Sequence, residues 1–381
     1  MDFRWTDEQL ALRDTVANFA RQELNVRVPE RDRQGQFRCE SWKSCAEFGI
    51  LGLPMPQRYG GTAEDIATVV LAMEALGYAC KDNGLTFGLG AQMWSVQMPL
   101  LIFGSDALKD QFLPRLVKGD LIGAHAVTEP AAGSDLFSLK TTAVRDGADY
   151  VLNGQKTFIT NAPCAGLFLV LASIDRSRGA AGLTAFLLER DFPGLSVSGH
   201  LEKMGLRTSP MAEVFLSDCR VPADHILGRE GGGSAVFNAA MEWERAFILA
   251  PALGSMQRIF EQCVEYSRLR QQFGRPIAKN DAVASKIVEM QLRLDSARML
   301  TYRTAWMKSV GRRLLHEPSQ TKLCVSEALV STCLDAMQIH GGNGYMVDFG
   351  IERELRDALA SKIYSGTSEI QMRVIASYLG L

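Results

Sequence analysis

Apolar positions spaced three and four apart open the chain. Leu12, Val16 and Phe19 recur at helical spacing, and Thr6 followed three residues later by Gln9 is the sequence signature of a capping box. The same spacing runs through 40–48, 63–78 and 107–117, broken by the glycine pair at 60–61 and by the turn-rich Lys81-Asp82-Asn83-Gly84. The first third therefore reads as helical throughout.

From about residue 122 the period shortens. Segments 150–160, 167–173, 183–189 and 212–222 are short β-rich runs separated by Gly, Pro, Asp and Asn. After three glycines at 231–233, long helical patterns resume at 234–270, 282–310, 318–340 and 352–363, with a last helix from about Ser368. This divides the chain into a helical domain over 1–121, a β domain over 122–232 and a helical domain over 233–381. Because the strands cluster instead of alternating with helices, the class is α+β and a doubly wound sheet is disfavoured.

Composition narrows the partners. Across 381 residues, 41 Lys and Arg face 43 Asp and Glu, so a net charge of −2 supplies no field for binding along a phosphate backbone, and no nucleic acid is expected. The eight cysteines fall singly with no CxxC, which reads as reduced and mostly buried thiols. The stretch MDFRWTDEQL has neither the apolar run of a signal peptide nor the acid-poor character of a transit peptide. The longest strongly apolar run, 167–172, is far short of the roughly 20 residues that span a bilayer. A soluble cytoplasmic protein without membrane attachment is expected.

Several chemistries lack their motifs. The histidines at 125, 200, 225, 316 and 340 are scattered without metal-ligand spacing, and HExxH, GxSxG and GxxxxGK[ST] are absent, so no metal is expected. Two segments are more informative. Ala126-Val-Thr-Glu-Pro-Ala-Ala-Gly-Ser-Asp135 sets a hydroxyl, two acids and a small-residue turn at the edge of the β domain, where successive N–H groups and a serine can meet a phosphate or a ring heteroatom. Gln338-Ile-His-Gly-Gly-Asn-Gly-Tyr345 ends a helix in glycines that let backbone approach a ligand, although a helix C-cap explains the glycines alone.

With these segments the chain resembles the FAD-dependent acyl-CoA dehydrogenases. Both signatures of that family are present, AVTEPAAGSDLFS at 126–138 and QIHGGNGYMVDFGIERELRD at 338–357, and the likeness continues through NGQKTFITN at 153–161, RQQFG at 270–274 and YSGTSEIQ at 364–371. The resemblance covers essentially the whole chain. It implies an N-terminal helical domain, a β-barrel-like middle domain and a C-terminal four-helix bundle, with FAD at their junction.

It also implies site residues. Thr128 is expected at the flavin pyrimidine edge, Ser134 at the pyrophosphate and Thr160 near flavin N5, with Phe158 where the family usually has a tryptophan. Arg270 and Phe273 are expected to reach the FAD of a neighbouring subunit, Gln338 and Gly342 to extend that cradle, and Thr367 and Glu369 to complete the site. Asp281 replaces a glutamine that commonly helps hold the adenosine part. A site completed by a second subunit implies a homotetramer built from dimers.

The reaction needs a carboxylate to remove the α proton of a thioester, donors to polarise its carbonyl, and the flavin to accept hydride. Most of the family carries the base in the loop that here reads Tyr364-Ser365-Gly366-Thr367, so Ser365 stands in its place. An unactivated hydroxyl holds its proton too tightly to serve. The segment MEWERAFILAPALGSMQ resembles the helix that carries the relocated base in isovaleryl-type members, which puts the base on Glu244 beside a substrate-binding Arg245. The competitor Glu242 lies about 200° around the helix from Glu244. The Ser365 backbone N–H is expected to retain the family's oxyanion-hole role.

The same segments, with Phe158, resemble carrier-protein-dependent members that oxidise a prolyl group. The expected activity is α,β-dehydrogenation of a short or branched acyl or aminoacyl thioester on CoA or on an acyl or peptidyl carrier protein, with an electron-transfer flavoprotein as acceptor. The alternatives are a prolyl-carrier-protein dehydrogenase or oxidase of secondary metabolism, a flavin oxidase or monooxygenase on the same fold, and a non-catalytic flavin-binding scaffold.

Overall fold

The computed structural model describes residues 4–381, so the first three residues of the expected 1–121 domain lie outside the described residues. Helices from Asp7–Phe19 to Asp106–Val117 come first, strands from Gly123–Ala126 to Ile226–Leu227 come next, and helices from Gly233–Phe247 to Ser368–Tyr378 close the chain. The capping box at Thr6 forms as the sequence implies: the Gln9 N–H donates to Thr6 Oγ1 and the Thr6 N–H to Gln9 Oε1.

One sheet organises the middle. Its central strands are Asp149–Thr160, Thr142–Asp146, Leu167–Ser173 and Leu183–Glu189, with Met211–Pro222 antiparallel to the first of these and Gly123–Ala126 parallel to Leu167–Ser173. Leu167–Ser173 is buried at every residue, which accounts for its unbroken apolar run. Its alternate side chains serve two cores. Leu167, Leu169 and Leu171 pack with the helices, whereas Phe168, Val170 and Ala172 pack with Tyr150 and Phe186 inside the sheet.

Two sequence expectations are corrected. Lys81–Gly84 is not a free turn, because Asp82 accepts the Leu85 N–H and caps a helix, Asn83–Gln92, which continues through a wider π-helical turn at Met93–Gln97 into Met98–Phe103. Nor is 234–270 one helix. It breaks between Phe247 and Ala250, since Pro251 has no N–H to give the Phe247 carbonyl and its ring excludes that carbonyl from the helical position. The break leaves Glu244 on the last turn of the first segment. Among the described residues no helix is long and apolar enough to cross a membrane, and all eight cysteines are free.

Candidate active site

Glu244 is buried, and both carboxylate oxygens are engaged. Oε1 accepts the Ser365 hydroxyl at 2.6 Å and Oε2 accepts the Ser95 hydroxyl at 2.8 Å. Ser95 comes from the π-helical turn, whose Trp94 stacks on Trp243 at 5.9 Å and 2° between ring planes, so the elements carrying Ser95 and Glu244 are locked by aromatic packing. Burial pushes the Glu244 carboxyl above its usual range. The Ser365 and Ser95 hydroxyls and the charges of Arg245 and Lys322 pull the other way without cancelling the rise. A carboxylate of raised basicity in a dry setting is what α-proton abstraction calls for. Glu242 points elsewhere and pairs with Lys308.

The loop after Ala360 is held in an unusual shape. Ser365 has φ 56° and Gly366 φ 88°, and such a left-handed pair persists only when its surroundings enforce it. Here they do. Lys322 Nζ donates to the Gly366 carbonyl at 2.7 Å, Gln371 Nε2 to the carbonyls of Ser365 and Gly366 at 3.1 and 2.9 Å, and Arg245 Nε to Ser365 O at 3.4 Å. Each of these contacts is to a carbonyl. Among the described residues the Ser365 N–H donates to no acceptor, which leaves it free for a substrate oxygen. Lys322 itself is fully buried, and that burial, with Arg245 nearby, brings its ammonium down to about 8.

Tyr364 closes one side of the site. Its ring lies 4.5 Å from that of Phe87, and behind the pair sits a cavity of about 40 Å³ reaching Asn83, Ser255, Glu354 and Asp357. Burial, with Glu354 adding, raises Asp357 to about 7 against the hydrogen bonds it accepts from Leu206 and Asn83. Both rings line this cavity, and Tyr364 directly precedes the Ser365 that holds Glu244.

The expected cofactor residues fall into two groups. Thr128, Phe158 and Thr160 are brought together, because the Thr157 N–H donates to Thr128 O at 2.8 Å. A bulge in Asp149–Thr160 between Lys156 and Ile159 turns Phe158 out to 63% exposure at φ 58°. The base of this rim is a buried ion pair: Lys156 Nζ meets Glu129 Oε1 at 2.8 Å, and the same carboxylate takes the Thr141 N–H and hydroxyl. Among the described residues the hydroxyls of Thr128, Ser134 and Thr160 make no hydrogen bond, so a rim of free donors beside an exposed ring fits the polar edge and phosphates of a flavin nucleotide. Thr367 instead accepts the Ile370 N–H as a helix cap, and Glu369 is exposed beside it.

The second group lies on the surface. Arg270 and Phe273 sit on the hairpin of Gln271–Gln272 and Arg275–Pro276, with Phe273 98% exposed at φ 53°. Gln338 and Gly342 are exposed where the helix Glu317–His340 ends, and Asp281 is exposed at the first position of Asp281–Ser309.

Comparison with known proteins bears directly on this arrangement. Family models described as the N-terminal, middle and C-terminal domains of acyl-CoA dehydrogenase match residues 6–120, 124–219 and 231–380. The chain belongs to the acyl-CoA dehydrogenase family. As a member it is an FAD-dependent oxidoreductase of acyl thioesters, acting on a CH–CH group. A curated relative, an L-prolyl-[peptidyl-carrier protein] dehydrogenase of Pseudomonas fluorescens, is 41% identical over the full length of both chains. Among solved structures, the prolyl acyl carrier protein oxidase AnaB is 49% identical with a TM-score of 0.98, covering 99% of this chain and 100% of its own. PigA, solved with FAD and proline, is 37% identical with a TM-score of 0.97 over the whole of both chains.

In this member of the family, sequence reasoning missed Ser95, Lys322, Gln371 and the Glu129–Lys156 pair. The last was within reach, since both residues lie inside segments that carry the family likeness. Ser95 had no such signal, because 149 positions separate it from the carboxylate it holds.

Proposed function

We propose that the protein oxidises a prolyl or similarly compact aminoacyl thioester carried on a peptidyl or acyl carrier protein, with Glu244 as the base. The observation that carries this reading is the setting of Glu244, buried between Ser95 and Ser365, with Tyr364 next in the same loop packed on Phe87. The carboxylate takes the α proton, and the two serine hydroxyls hold its oxygens so that one conformation faces the substrate. The free Ser365 N–H polarises the thioester carbonyl as negative charge develops on it. Thr128, Ser134, Phe158 and Thr160 hold FAD, which when bound supplies the acceptor for the β hydride.

A compact ring suits a site closed at Tyr364 better than an extended chain does, and two relatives whose names specify a prolyl group on a carrier protein support the same choice. The solvent-facing Phe273, with Arg270, Gln338 and Gly342 on the same exposed tier, supports assembly with further copies, and a homotetramer in which these residues complete a neighbour's FAD site is proposed. Electrons then pass to an electron-transfer flavoprotein or to O₂.

The test is anaerobic flavin reduction by a panel of acyl-CoAs and of aminoacyl groups on carrier proteins, followed by exposure to air. Fast bleaching by the prolyl carrier protein alone is expected. Fast bleaching by short acyl-CoAs and none by carrier-bound groups would overturn the choice of substrate. Rapid reoxidation in air would identify an oxidase, and slow reoxidation a dehydrogenase that needs a protein acceptor.

A further inference from the structure

With a net charge of −2, the chain must draw any attraction for an anionic partner from local clusters, and one cluster adjoins the active-site helix. Between Asp295 and Glu317 there is no acidic residue but there are five cations, Arg298, Arg303, Lys308, Arg312 and Arg313. The helix Asp281–Ser309 ends inside this run, and Arg312 folds back over Trp306 with its guanidinium carbon 5.0 Å from the ring centre. Arg312 and Arg313 are exposed and, among the described residues, pair with no acid.

Apolar side chains lie among them. Val310 and Leu315 are half exposed, and His316 stacks at 3.9 Å on Tyr378, which with Leu379 adds exposed apolar surface from the last helix. An apolar centre with a cationic rim has the anatomy of a protein interface.

Its position ties it to the chemistry. Lys308 pairs with Glu242 and lies 4.2 Å from the centre of the Trp243 ring, one residue before Glu244. Glu242 and Arg245 stand one turn apart on the same helix face, and Arg245 reaches the Ser365 carbonyl. A row of polar groups thus leads from the cationic surface to the catalytic loop.

We infer that the surface formed by Val310, Arg312, Arg313, Leu315 and Tyr378 docks an acidic carrier protein, whose phosphopantetheine arm then runs along the Glu242–Arg245 row to Glu244. This rests on the carrier-protein reading above. The phosphodiester that joins arm to carrier stays outside the pocket as a fixed negative charge, and Arg312 and Arg313 are free to meet it and the acidic surface around it.

The test compares the holoenzyme with its Arg312→Glu/Arg313→Glu variant on two substrates, a prolyl group on its carrier protein and the same group on pantetheine alone. The variant should raise KM for the carrier-bound substrate about tenfold or more with kcat little changed, and should leave kcat/KM for prolyl-pantetheine within about twofold. The wild-type preference for the carrier should fall with added salt, and that of the variant should not. An unchanged KM for the carrier in an enzyme that uses it would overturn the docking surface. So would an equal loss on both substrates, or a change in the variant's assembly by light scattering, which would assign the face to another copy of the chain. If the wild-type enzyme ignores carrier-bound substrate altogether, the carrier reading fails first and this inference with it.

Discussion

Ser365 donates its hydroxyl to Glu244 at 2.6 Å, so the side chain standing where the family resemblance would put a base instead supports the carboxylate that we propose as the base. Ser95 holds the other oxygen at 2.8 Å from a separate element. The acid therefore sits in a two-point clamp, and its basicity is the balance of burial against two hydroxyl donors and the charges of Arg245 and Lys322.

Removing either donor should tip that balance. A hydroxyl donated to a carboxylate stabilises the charged form, so Ser95→Ala or Ser365→Ala raises the Glu244 pKa further. Because the proposed base works unprotonated, the acid limb of the pH–rate profile for flavin reduction should move to higher pH in either variant, and Ser95→Thr should restore it. An unmoved limb in both alanine variants would show that the serines do not tune the base.

Phe87 should set the size of the acyl group. Its ring packs on Tyr364, the residue before Ser365, and both rings line the cavity of about 40 Å³. Phe87→Ala enlarges that cavity beside the Ser365 loop and should shift preference toward longer straight acyl groups, by about 0.8 kcal/mol for each methylene the cavity can bury. Since Phe→Ala in a core costs about 3–5 kcal/mol, Phe87→Leu provides a milder comparison that should move preference in the same direction. Ratios of kcat/KM across an acyl series read the effect, and a flat ratio in both variants would remove Phe87 from that role.

The Glu129–Lys156 pair should matter for both fold and cofactor. Lys156 is fully buried and its ammonium also donates to Val127 O, so Glu129→Ala leaves a buried charge uncompensated at a cost of about 3–5 kcal/mol. Thermal unfolding should show a lowered Tm, and gel filtration should show FAD lost more readily than from the parent, because the Thr128 rim rests on this pair. The double variant Glu129→Gln/Lys156→Met should recover part of the loss. A Tm unchanged in Glu129→Ala would contradict the role given to the pair.

Local pattern encodes some of this and not the rest. An unbroken apolar run locates the strand Leu167–Ser173 and helical spacing the helix Glu317–His340, whereas the family resemblance of its segment singles out Glu244. The helix Asn83–Gln92 is hidden by its glycines, which reflect tertiary contact: a Cβ on Gly84 would lie 2.1 Å from Thr208 Oγ1. Asp82 has the residue type of a turn, yet it caps a helix, and the same short acidic side chain serves either purpose until tertiary packing decides between them. Ser95 and Lys322 each act through one hydrogen bond from another element and Gln371 through two, and no periodicity marks a residue of that kind.

Removal of the α proton is the role proposed for Glu244. Glu244→Gln keeps the size and the capacity to meet both serines while abolishing the base, so the most direct measurement is anaerobic flavin bleaching by prolyl-carrier protein in this variant and in the parent, at matched FAD content. The variant should bind FAD normally and bleach it slower by a factor on the order of 10²–10⁴ or more. Bleaching at the parental rate would contradict that role and move the base to another residue.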